Sequence, residues 1–162
     1  IRDRSGITEV IVADPSAANP RPLIGPDGVR ITVAPAGYEG VGQLGVRVAV
    51  PHLETARTYY ADTLGWSVDG SAVRLGSTVV LLAEHGDAPD DVGDTTLGWT
   101  YLTVQIHDCD AETAAVVARG GRVAQPAVTL GDVARFSMVA DPWGNRLELS
   151  QRASLTGPLP GR

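Results

Sequence analysis

The chain has 162 residues, 43% of them hydrophobic, and a formal net charge of −6, which is the size and apolar content of a globular unit with its own core. All 13 basic residues are Arg, no basic patch is visible, and no apolar run approaches the roughly 18 residues of a membrane span, so neither nucleic acid nor a membrane is an expected partner. One cysteine, Cys109, excludes an intrachain disulfide and, with no signal peptide in view, a cytoplasmic, reducing location is expected.

Residues 1–43 are rich in Pro and Gly and hold two apolar runs, Ile7–Ala13 and Val29–Ala34. The prolines between them exclude a long helix. Two strands joined by an irregular loop are predicted. Residues 44–84 read strand, helix, strand, strand. The segment 44–50 (LGVRVAV) alternates and is rich in β-branched residues, as a strand requires. Leu53, Ala56, Tyr60 and Leu64 then recur at helical spacing, and Gly65 stands where a helix C-cap takes positive φ. Asp69-Gly70 marks a hairpin turn between the next two strands.

Residues 85–97 are polar and acidic, which suits a linker. Residues 98–151 repeat the order of 44–84, with Asp108 as a candidate helix N-cap and Gly120 or Gly121 as its end. Residues 152–162 read as a loose tail. Leu44–Val50 maps onto Thr100–Ile106 at an offset of 56, as does Gly65 onto Gly121; the last strand maps at 67, so the second copy carries 11 more residues before it. A third echo lies at the front: Gly28, Arg30 and Thr32 match Gly144, Arg146 and Glu148. Residues 1–43 are therefore either the tail of a preceding module or an added hairpin. The chain begins without Met, which leaves room for its being part of something longer.

The segment RVAVPHLETARTYYADTLGW is similar to the first strand and helix of the glyoxalase/bleomycin-resistance/dioxygenase proteins, the vicinal oxygen chelate superfamily, and DPWGNRLELSQ resembles that family's closing hairpin and last strand. The resemblance covers about residues 44–151. It implies an α+β fold of paired βαβββ modules, 44–84 and 98–151, whose curved sheets form a cleft. Fold alone does not set function. In the metal-dependent members, four positions on the first and last strand of each module hold a divalent ion that acts as a Lewis acid on the substrate oxygens.

Alignment puts Gly45, Leu81, Tyr101 and Glu148 at those positions. Of these only Glu148 is a good ligand. Gln43, two residues upstream of Gly45, shares its strand face and is the one candidate substitute. His52, His85 and His107 do not align. No cofactor is expected; a divalent metal held by Glu148 and Gln43 is the alternative.

Strand alternation turns Arg47, Tyr101, Thr103, Gln105, Arg146 and Glu148 toward the cleft, with Trp66, Trp99 and Trp143 as the aromatic candidates nearby, a lining suited to a small polar or anionic molecule. An Arg47–Glu148 ion pair is the plain alternative for those two residues. Tyr101 and Trp66 have plain readings as core residues. Cys109 is either a small half-buried residue or, at a helix start, a reactive thiol.

The resemblance thus implies a protein that binds a small organic molecule in its cleft without the usual metal site. The alternative is an enzyme of the lyase, isomerase or dioxygenase type acting on a small oxygenated metabolite, with Glu148 as metal ligand or general base. A third reading makes the chain the ligand-poor part of a larger multi-module protein. A homodimer is expected from the resemblance.

Overall fold

The computed structural model describes residues 6–25, 28–85 and 98–160. The first three strands are β1 (Ile7–Ala13), β2 (Arg21–Ile24) and β3 (Arg30–Ala34). The sequence predicts two strands here, and β2 is the addition. Pro22 cannot donate to a ladder, but β2 is the outermost strand, exposed along its length and bonded only to β3, and an edge is where a strand tolerates Pro.

The next module is β4 (Leu44–Val50), α1 (Leu53–Thr58), β5 (Ser67–Asp69), β6 (Ala72–Leu75) and β7 (Thr78–Glu84). Helix α1 runs on into one π-type turn, Tyr59–Thr63, and stops at Gly65, whose φ is 74°. His52 makes no side-chain cap, and the carboxylate of Glu84 instead accepts the Leu53 N–H at 3.2 Å. The second module is β8 (Tyr101–Gln105), α2 (Cys109–Ala118), β9 (Arg122–Leu130), β10 (Ala134–Ala140) and β11 (Arg146–Arg152). Asp108 caps α2 by accepting the Ala111 N–H at 2.9 Å, and Gly120, φ 82°, ends it. A short helix, α3 (Ala153–Thr156), follows, and Leu159 beyond it is buried. The acidic segment 86–97 lies outside the described residues.

Each module places its first strand beside its last in parallel, β4 with β7 and β8 with β11. β1 and β3 pair in parallel in the same way. The hairpins that precede β3 and β11 both hold a left-handed glycine, Gly28 (φ 78°) and Gly144 (φ 88°), a conformation that favours glycine. β1 then lies antiparallel against β4. The outcome is a seven-stranded sheet in the order β2-β3-β1-β4-β7-β6-β5 and a separate four-stranded sheet in the order β8-β11-β10-β9. The α+β class and both βαβββ modules are present, but the two modules do not share a sheet.

Alternation gives the seven-stranded sheet two buried faces. On one, Val46, Val48, Val50, Val80 and Leu82 join Tyr60, Val116, Val139, Leu147 and Leu149 in a single core that both modules share. Tyr59 donates its hydroxyl to the Ala140 carbonyl at 2.8 Å, and Arg119 donates Nε to the Thr63 carbonyl at 2.7 Å, so polar contacts also tie the modules together. On the opposite face, Ile11, Ala34, Val79 and Leu81 pack around Val41. Val41 follows the 3₁₀ turn Tyr38–Gly40, by which the chain folds back over the sheet after β3.

Val41 is fully buried, and it explains Gly45. A Cβ on residue 45 would stand 2.5 Å from a Val41 methyl. Gly45→Ala is expected to cost about 1–3 kcal/mol through overpacking. Val41→Ala opens the space, so the same substitution should cost less in a Val41→Ala background. Denaturant melts of the two single variants and the double variant measure this, and strictly additive losses would show that Val41 is not what excludes the side chain.

Candidate functional site

Arg47 lies on the Val41 face of the seven-stranded sheet, directly opposite Glu9 in the β1–β4 register. Its Nε donates to Glu9 Oε2 at 2.9 Å and its Nη2 donates to Glu39 Oε2 at 2.7 Å. The Thr32 hydroxyl donates to the other oxygen of Glu9. Burial by itself pushes the Glu9 carboxyl up, but the Thr32 hydrogen bond and the Arg47 guanidinium outweigh it and hold the group below the usual carboxylate range. Glu39 has a positive φ of 49°, uncommon for a residue with a side chain, and its ion pair with Arg47 is one of the contacts that hold it there. The alternative Arg47–Glu148 pair does not form, because the two residues belong to different sheets and β1 brings Glu9 to Arg47 first.

The other predicted residues divide differently. Cα partners Arg146↔Tyr101, Glu148↔Thr103 and Ser150↔Gln105 put five of the predicted site residues on one face of the four-stranded sheet. That face is open: Tyr101, Thr103 and Gln105 are exposed and Arg146 and Glu148 half-buried. Trp99 precedes β8 and is exposed. Gln43 is exposed next to β4, where its carbonyl accepts the Ala13 N–H. Of the four family ligand positions, Gly45 and Leu81 are on the seven-stranded sheet under Val41, and Tyr101 and Glu148 are on the other sheet. Among the described residues no group of three or more His, Cys, Asp or Glu stands together. Gly45 and Leu81 offer no donor atom and stand on a different sheet from Tyr101 and Glu148, so these positions do not fit an ion.

A concavity lies on the opposite face of β4 and β7. It is a cleft of about 620 Å³ between the outer ends of those strands and β8, within the 300–1,000 Å³ range of small-molecule sites. Leu44, Val46 and Val80 form one wall, Trp66 and Leu75 another, and residues 102–106 the third. Trp66 is held by Tyr60, with ring centroids 5.9 Å apart. Ser77, Thr78, Thr103 and Gln105 supply the polar groups, and none of the described residues that line the space is charged.

Thr103 and Gln105 are thus the predicted residues that reach this cleft. Leu44, Leu75 and Val80 were not singled out from sequence, and Trp66 was read as core. Their period-two pattern is visible in the sequence, but it marks them only as a buried face. That β8 comes to rest across that face is a tertiary fact.

Cys109 opens α2 and is fully buried. Its N–H donates to Gln151 Oε1 at 3.1 Å, and its thiol faces the Leu149 carbonyl. Burial pushes the thiol above its ordinary pKa despite the Ser137 and Thr113 hydroxyls, which pull the other way. The reactive-thiol reading is not supported by this environment.

The family model of the Glyoxalase/Bleomycin resistance protein/Dioxygenase superfamily matches residues 41–149. The chain belongs to this superfamily. CFP32 of Mycobacterium tuberculosis, whose name provisionally assigns it as a glyoxylase, is 33% identical over 106 residues, covering 59% of this chain and 40% of that protein. The chain therefore spans less than half the length of this curated relative. A superfamily member from Sphaerobacter thermophilus has the same fold, with a TM-score of 0.52 at 22% identity over 67% of this chain and 94% of that one. TnmS3, described as an antibiotic-binding protein from a Streptomyces species, matches with a TM-score of 0.50 at 22% identity over 65% and 93% of the two chains. Among the described residues no helix is long and apolar enough to cross a membrane.

Two measurements test these environments. Because the folded Glu9 carboxyl sits below its unfolded value of about 4.3, its contribution to stability is present above that pH and is lost as pH falls through the folded value. Glu9→Gln should therefore flatten the acid limb of a melting-temperature profile as well as lowering stability near neutrality. Thiol reagents at neutral pH should leave Cys109 unlabelled in the folded chain and modify it stoichiometrically in denaturant; rapid native labelling would contradict its burial.

Proposed function

We propose that this chain is a small-molecule-binding member of its superfamily and that the cleft between β4, β7 and β8 receives the ligand. The carrying observation is the character of that cleft: an apolar space with an aromatic wall, a few hydroxyl and amide groups, and no acid, base, thiol or imidazole among the described residues that line it. Proton transfer or nucleophilic attack needs such a group within hydrogen-bond reach of the reacting atom. Binding by shape and stacking needs none. The ligand this lining fits is a mostly apolar, planar or aromatic molecule, flattened against Trp66 and oriented by hydrogen bonds to Thr78, Thr103 or Gln105. The likeness in fold to TnmS3, named an antibiotic-binding protein, agrees with a binding role.

Glu148 and Arg146 are not among the described residues that line this space, and they take no catalytic part in this reading. The chain holds its ligand without chelation, since Gly45 and Leu81 are spent on packing under Val41.

The test uses N-phenyl-1-naphthylamine, a neutral aromatic probe whose emission rises in apolar surroundings. Saturable binding at one site per chain is expected. Leu44→Glu, a change at a 39% exposed rim position, and Trp66→Ala should each weaken it by about tenfold or more. Binding that is unsaturable, or equal in both variants, would reject the cleft as the site.

A further inference from the structure

The free edge of β8 forms one wall of the cleft, and this points to the ligand's chemistry. Ile106 donates its N–H to the Ser150 carbonyl across the β8–β11 ladder at 3.0 Å. Main-chain groups of successive strand residues point to opposite sides. Leu102 and Val104 therefore share the direction of Ile106, toward β11. The N–H and C=O groups of Tyr101, Thr103 and Gln105 point away from β11, and among the described residues β11 is the only strand that β8 pairs with. Consecutive residues of β8, from Leu102 to Gln105, and Ile106 just after it line the cleft, as happens when a strand presents its edge and not one face.

The other sheet edges carry the protection that open edges normally need. β2 holds Arg21 and Pro22, β5 is three residues long and ends in Asp69, and β9 holds Arg122 and Pro126. β8 reads Tyr-Leu-Thr-Val-Gln, with no charge and no proline. Among the described residues its edge is the one without such protection, and it opens onto an apolar space bounded by Leu44, Val46, Val80 and Trp66.

We infer that the molecule bound here carries an extended amide backbone, as a short apolar peptide or peptide-like metabolite does, and that it adds to β8 as a further strand. This rests on the cleft being the binding site. Thr103 and Gln105 each offer one donor and one acceptor, about 6.6 Å apart along the strand, so a ligand of about three residues pairs with both. Its alternate side chains then fall against the Val46–Val80 wall and Trp66. Main-chain pairing supplies affinity and the apolar walls supply selectivity.

The test compares N-acetyl-Leu-Phe-Leu-amide with a twin of the same sequence whose backbone amides are all N-methylated. The parent peptide should bind saturably and compete with N-phenyl-1-naphthylamine. The twin, which keeps the side chains but has no backbone donors at the methylated positions, should bind at least about tenfold more weakly. Amide hydrogen exchange should slow at Thr103 and Gln105 when the parent peptide is bound.

Equal binding of the two peptides would overturn the inference, because apolar filling would then suffice. Binding of the naphthylamine without either peptide would also overturn it, while leaving the cleft as a binding site. Failure of all three probes would reject the site itself. Thr103 and Gln105 amides already protected in a ligand-free dimer would mean that a second copy occupies the edge, which would overturn the inference as well.

Discussion

β4 has one free edge once β7 has taken the other, and β1 occupies it. That antiparallel pairing sets Glu9 directly across from Arg47 on a face that is then covered by the chain's own segment 35–42. A carboxylate placed there is costly unless it is paired and hydrogen-bonded, and Glu9 is answered by Arg47 and Thr32, while Arg47 is answered in addition by Glu39. The same segment delivers Val41, which requires that residue 45 have no side chain. Much follows from β1: the face expected to carry ligand groups is filled with packing and ion pairs.

The consequence on the far side is equally direct. With β1 beside β4, the first strand of the second module cannot take that place, and β8 ends up at the edge of its own sheet. It is brought across the outer ends of β4 and β7 by the core the two modules share, in which Tyr60, Val116 and Leu149 meet Val48 and Val50. The wall of Val46 and Val80 continues from that core into the cleft. One apolar face therefore does two jobs, holding the modules together at one end and lining the cleft at the other.

Much of the architecture was legible because local chemistry demanded it. Asp108 caps α2, Gly65 and Gly120 end helices at positive φ, and Gly70 turns the β5–β6 hairpin at φ 58°. The echo of residues 28–32 in 144–148 has its counterpart in the parallel β1–β3 and β8–β11 pairings. What escaped was non-local. Strand β2 forms around Pro22 because it lies at an edge, a property of the sheet and not of the tetrapeptide. Arg47 was expected to face the cleft, yet it lies on the other face of β4, where its partners Glu9 and Glu39 come from β1 and from the turn before β4.

The sequence by itself determined the modules, their order of strands and the residues that alternate to each face, because period-two burial, caps and turns are properties of short segments. It also determined that Gly45 and Leu81 bring no donor atoms. Only the tertiary structure decided which strand edges meet. That choice depends on the whole sheet, since any strand of suitable pattern can satisfy the edge of another. It is this choice, β1 on β4, that set Arg47 half-buried between two carboxylates, left β8 with β11 as its one strand partner among the described residues, and put the cleft on a face that the pattern of residues marks only as core.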